Sequence, residues 1–176
     1  MMRGFLLLLV WLFATPCLRA SDGTLEYQVK AVCVLNAARF VSWPAQAPSD
    51  REGPFVIGIL GQNPFGSILE EVTKGETIRK RQIVVREVTL EQASTGCHVL
   101  FISRSLNSEL AAVLQTLGKS SVLTISEIEG FATKGGMIAL SLDKGGGIHF
   151  EVDPRAAKAA GLKIDSQFLA IAQIAN

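Results

Sequence analysis

Few residues in this chain could do chemistry. It holds two histidines, three cysteines and one tyrosine. Cys97-His98 joins a thiol to an imidazole, the pairing a cysteine nucleophile needs. Neighbours on a strand point to opposite faces, however, so these two cannot share a proton. His149, Glu151 and Asp153 alternate onto one face of a strand and are donor types that bind metals. A metal site needs three or four clustered ligands, and the same alternation describes a solvated edge, so no metal is assigned. Gly58, Gly61 and Gly66 follow an apolar run and precede a helix. Their Gly-x-x-Gly-x-x-x-x-Gly spacing is neither the dinucleotide fingerprint nor a phosphate loop with its Lys-Ser/Thr, and reads as a turn plus a helix start. Ser103, Ser105 and Ser126 stand at strand ends, where α/β sites lie. None occupies a Gly-x-Ser-x-Gly elbow. No catalytic residue and no cofactor is assigned, and an enzyme is the least favoured class.

The elements that position these residues follow from periodicity. Leu25 to Val41 reads as a helix with Thr24 as its cap. Leu25, Val29, Val32, Cys33, Asn36 and Phe40 recur at helical spacing, and Ala31, Val34, Leu35 and Ala38 take the other side. Between Tyr27 and Trp43 the only charges are Lys30 and Arg39. Trp43-Pro44 is expected to stop the helix. Phe55–Leu60, Ile83–Val88, Cys97–Ser103 and Ser121–Ile125 read as strands, and Phe65–Val72 and Asn107–Leu117 as helices between them. Met137–Leu142 and Ile148–Val152 form a hairpin. Asp153-Pro154 opens a further helix, and Ser166–Ala175 is the last. Strands alternating with helices predict an α/β layered sandwich: a mixed, largely parallel sheet flanked by helices, with a C-terminal hairpin followed by helices.

Residues 1–20 have the layout of a secretory signal peptide: Arg3, an apolar run from Phe5 to Ala14, then Pro16 and a small residue at Ala20. The run is about half the length a membrane span requires. Residues 21–176 are then one domain, exported to the periplasm. Loss of Arg3 and Arg19 with the leader takes the formal charge from +1 to −1. A near-neutral domain lacks the basic surplus of a nucleic-acid binder. Export leaves Cys33 and Cys97 where disulfides persist, so they are a candidate bridge; both positions equally suit buried thiols. Arg39, Phe40 and Trp43 place aromatic and basic groups together at the first helix's end, composition that suits either a partner surface or core packing.

Tyr27 to Pro44, YQVKAVCVLNAARFVSWP, resembles the opening of the YfiR-like family of periplasmic proteins. The resemblance continues in order through GILGQNPFG from Gly58, CHVLFIS from Cys97, SVLTISEIEGFATKGGMIAL from Ser121, IHFEV from Ile148 and AGLKIDSQFLAIA from Ala160. It implies a non-enzymatic repressor that binds the periplasmic part of an inner-membrane diguanylate cyclase, or of a sensor kinase, and so lowers cyclic-di-GMP. It further implies sequestration by an outer-membrane lipoprotein, and a homodimer. In such proteins a first-strand cysteine pairs with the one matching Cys97; here Gly58 stands in that place. Arg39 and Trp43, with Lys163 and Asp165 before the last helix, are the candidate partner-binding residues. A periplasmic small-molecule sensor or solute-binding domain is the alternative, because strand ends in α/β sheets form clefts and Lys163 and Asp165 could anchor a zwitterion.

Overall fold

A computed structural model describes residues 22–45, 53–143 and 147–175. The proposed signal peptide lies outside the described residues. Among them no helix is long and apolar enough to cross a membrane.

The chain opens with α1 (Asp22–Arg39) and a two-residue strand, β1 (Val41–Ser42). Next come β2 (Phe55–Leu60), α2 (Ile68–Thr73), β3 (Thr77–Ile78), β4 (Arg81–Glu87), α3 (Leu90–Gly96), β5 (Val99–Ile102) and α4 (Leu110–Leu117). The C-terminal third is β6 (Leu123–Ser126), β7 (Ile138–Leu142), β8 (Ile148–Val152), α5 (Pro154–Ala159), β9 (Lys163–Ile164), α6 (Ser166–Ile171) and β10 (Gln173–Ile174). Eight strands form one sheet in the order β10-β8-β7-β6-β5-β2-β4-β3. From β4 to β7 every pairing is parallel. The β7–β8 hairpin and the β3–β4 hairpin are antiparallel, and β10 lies parallel to β8. The mixed, largely parallel sandwich expected from the sequence is therefore the fold.

Alternation along each strand feeds two cores. Phe55, Ile57 and Ile59 of β2 face one side with Val99, Phe101, Leu123 and Ile125, beneath α1, α2, α5 and α6. Val56, Leu60, Leu100 and Ile102 face the other, beneath α3 and α4. Burial of each such side chain contributes about 1.5–3 kcal/mol, so helices on both faces are what stabilise strands that are apolar throughout.

Three sequence expectations are corrected. The buried face of α1 is Ala31, Val34, Leu35, Ala37 and Ala38, where three alanines allow close approach and Val34 and Leu35 fill the core. Leu25 and Val32, from the larger apolar stripe, are 63% and 44% exposed. The helix also ends earlier than Trp43-Pro44, because Val41–Ser42 leaves to pair with β9. The last helix stops at Ile171, and Gln173–Ile174 adds an edge strand. The short elements β3, α3, β9 and β10 were not expected. The β3–β4 turn is tight: Arg79 and Lys80 both have positive φ, 55° and 64°, the conformation a two-residue hairpin requires and usually gives to Asn-Gly.

Candidate functional site

A sheet that grows in both directions from one strand leaves a crevice at that strand's carboxyl end. Here the strand is β2. Its chain leaves through α2 on one face to reach β4, whereas β5, on its other side, leaves towards α4 on the opposite face. The chain after β2 and the chain after β5 consequently head for opposite faces of the sheet, and they touch only where they set out.

Small residues and hydroxyls line the opening. Gly61 has φ 89°, and a Cβ there would lie 2.7 Å from Ser105 Oγ, so only glycine lets the two loops approach this closely. The Gln62 N–H then donates to Ser105 Oγ at 2.9 Å. Ser105 Oγ donates to Ser103 Oγ at 3.2 Å, and Ser103 Oγ accepts the Ser105 N–H at 3.3 Å. One strand further along, Ser126 Oγ donates to Ile102 O at 2.7 Å and accepts the Ile128 N–H. Ser126 thus caps the turn after β6.

Glu127 follows directly and is the hub of the site. Its side chain is 3% exposed. Its carboxylate accepts Tyr27 OH at 3.1 and 3.4 Å, pairs with Lys30 Nζ, and lies 3.9 Å from Arg104 Nη2. Lys30 is itself buried and also pairs with Glu26 on the rim. Burial alone would lower the Lys30 ammonium; its bonds to Glu127 and Glu26 more than offset that and hold it above the ordinary range. Burial, then the Glu127 charge, push the Tyr27 hydroxyl up as well. A buried cation and anion that are mutually satisfied avoid the several kcal/mol that either would cost unpaired. Three open cavities meet at this hub. One, of about 580 Å³, is lined by Tyr27, Gln62, Asn63, Ser103, Arg104 and Glu127 among others. Another of about 580 Å³ is lined by Arg104, Asn107, Glu127, Glu129 and Lys134 among others. The third, of about 460 Å³, runs past Glu26, Lys30 and Glu127 to Leu140 and Glu151. Arg104 borders all three.

The residues chosen from sequence lie at another edge. Pairing of β1 with β9 sets Ser42 opposite Lys163 and Val41 opposite Ile164, and the Asp165 N–H donates to Phe40 O at 2.8 Å. Two segments far apart in sequence, the end of α1 and the turn before α6, are thereby joined. Arg39 is exposed and pairs with Glu76, and Lys163 is exposed. Asp165 accepts the Gln167 N–H and caps α6. Trp43 is instead a core residue: it is 6% exposed, its indole N–H donates to His98 O at 3.3 Å, and its ring meets Phe55 edge-on.

Cys33 and Cys97 are both free thiols. They do not bridge because they belong to different cores: Cys33 packs on the α1 face and Cys97 under α3. Burial pushes the Cys97 thiol up to about 11. Its neighbour His98 points the other way, stacking on Phe55, accepting the Val56 N–H on Nδ1 and meeting Arg81 at Nε2. His149 of β8 lies 3.1 Å from Asp143, whereas Asp153, one residue past β8, caps α5. Sequence reasoning missed Tyr27, Lys30, Arg104 and Glu127 as a group. The available signal was Lys30, a lone cation within an otherwise apolar stretch.

No curated protein matches the chain. A family profile does, over residues 27–173, a span that begins at Tyr27, includes every residue of the crevice except Glu26, and ends in β10. The chain belongs to the YfiR/HmsC-like family.

Proposed function

We propose that the chain is a periplasmic, non-enzymatic regulator that binds the periplasmic region of an inner-membrane diguanylate cyclase and represses it. The observation that carries this reading is the family match across nearly all of the described fold, residues 27–173. Repression follows from occupancy: the bound regulator stabilises one conformation of the membrane enzyme, and release lets the other repopulate. A sensor kinase is the other membrane partner of this kind, and an outer-membrane lipoprotein would act by competing for the regulator. Self-association as a homodimer belongs to the same reading. The surface assigned to the partner is the β1–β9 edge, where Arg39, Lys163 and Asp165 are exposed above buried Trp43.

The test is genetic and biochemical together. A deletion strain is expected to contain more cyclic-di-GMP, and the intact gene to restore the lower level. Arg39→Glu with Lys163→Glu is expected to fold normally yet fail to restore it, and to lose crosslinking to the cyclase. Unchanged cyclic-di-GMP on deletion, with no membrane partner crosslinked, would rule the reading out.

A further inference from the structure

We propose that the crevice between the ends of β2 and β5 binds a small free anion, a carboxylate or a phosphate ester, with Arg104 as its counter-charge and the Ser103–Ser105 hydroxyls as second donor. This goes beyond the docking function and does not depend on it.

The assignment rests on which charges in the crevice are already used. The cavity lined by Tyr27 and Ser103 is bordered by two charged residues, Arg104 and Glu127. The Glu127 carboxylate is at the floor, 3% exposed, and is taken by Lys30 and Tyr27. A cationic ligand would therefore have to displace a buried ion pair. Arg104 is the reverse. Its side chain is 68% exposed, and its contacts with Glu127 are long: 3.5 Å to the backbone oxygen and 3.9 Å to the carboxylate. A guanidinium carries five donors in a planar fork that matches a carboxylate or phosphate edge-on. Most of that capacity is unspent.

The hydroxyls supply an independent observation. Ser103 is 4% exposed and lines the cavity. Ser103 and Ser105 share one hydrogen bond between their hydroxyls, and the remaining contacts, from Gln62 N and Ser105 N, use them as acceptors. Two hydroxyls own two protons, and one is spent on the shared bond. Among the described residues no protein acceptor takes the other, so a buried donor is left for a ligand oxygen. Its location at the switch point of the sheet is where ligands of open α/β folds sit, and about 580 Å³ accommodates a metabolite-sized molecule.

The experiment titrates the purified chain with inorganic phosphate and with citrate, at ionic strength held constant with sodium chloride. Thermal melts and equilibrium dialysis are read together, so that binding is measured without relying on unfolding. At ten times its Kd a probe is expected to raise Tm by about 3–5 °C. Arg104→Gln is expected to weaken binding at least about tenfold, and Arg104→Lys, which keeps the charge without the fork, to fall between. Lys158→Gln, on the distant helix α5, serves as the control and should match the wild type. Stabilisation by phosphate alone identifies a phosphate site, and by citrate alone a carboxylate site. Failure of both probes to exceed sodium chloride, or equal binding by Arg104→Gln, overturns the proposal. Neither result touches cyclic-di-GMP repression, which is read in cells.

Discussion

Gly58 is the position where a single substitution tests the packing most sharply. It sits in the middle of β2, opposite Leu100 of β5, on the face beneath α3. A Cβ built there would lie 2.7 Å from Cys97 Sγ, 2.9 Å from Val88 Cγ2 and 3.2 Å from Leu100 Cδ1. Gly58→Cys thus presents a thiol directly to Cys97. A bond of about 2.05 Å between the sulfurs needs only a small rotation of the Cys97 side chain. The bridge closes a loop of about 40 residues, which by chain entropy is worth about 4 kcal/mol. Crowding against Val88 and Leu100 costs about 1–2 kcal/mol. The net gain is about 2–3 kcal/mol, or about 5–10 °C in Tm. Gly58→Ala suffers the crowding without the cross-link and should lose about 1–2 kcal/mol. The assay is a pair of melts with and without dithiothreitol, beside a count of titratable thiols. Oxidised Gly58→Cys should expose two thiols fewer than its reduced form and melt higher than wild type; reduced, it should resemble Gly58→Ala. A variant that stays fully reduced under air and copper, or that melts lower when bridged, would show that β2 and β5 are not packed as described.

Three further outcomes are expected. Lys30→Met leaves the Glu127 carboxylate buried without its cation and should cost about 3–5 kcal/mol in urea unfolding, whereas Lys30→Met with Glu127→Leu should recover at least half of that; equal losses would mean the pair is not coupled. Tyr27 and Lys30 both hold their protons more tightly folded than unfolded, so their contribution is complete below about pH 10 and drains as pH rises through the raised values; Tyr27→Phe should flatten the fall in urea midpoint between about pH 9.5 and 11.5, and an unchanged slope would contradict the assignment. Lys80→Gly removes a left-handed lysine from the β3–β4 turn and should stabilise the chain by about 1 kcal/mol in the same assay; a loss of stability would show that the lysine side chain repays its strain.

What the sequence revealed follows from the period of its apolar residues. Strands β2 and β5 are apolar almost throughout, and β6 and the β7–β8 pair carry alternating apolar residues, so all were legible. In α1 both sides are apolar, and size rather than hydrophobicity chose the buried one: alanines let the helix come close, leaving Leu25 and Val32 outside. Two-residue strands such as β1 and β9 carry no period at all and are made by tertiary pairing. The same holds for the crevice. Glu127, Lys30 and Arg104 are unremarkable surface residue types one at a time, and only the strand order, which reverses at β2, brings them together. Asp153 and Ser126, in contrast, act through neighbours two residues away and could be read directly.

Both margins of the eight-stranded sheet are two-residue strands, β3 and β10. Each covers only part of its neighbour: β3 pairs with Arg81 and Gln82 alone, so among the described residues no strand covers the outer edge of β4 from Ile83 to Glu87, the kind of main-chain template on which an incoming strand adds. Association of this molecule, with its own kind or another, therefore has a main-chain route beside the side-chain one, and a proline at Val84 or Val85 would separate the two.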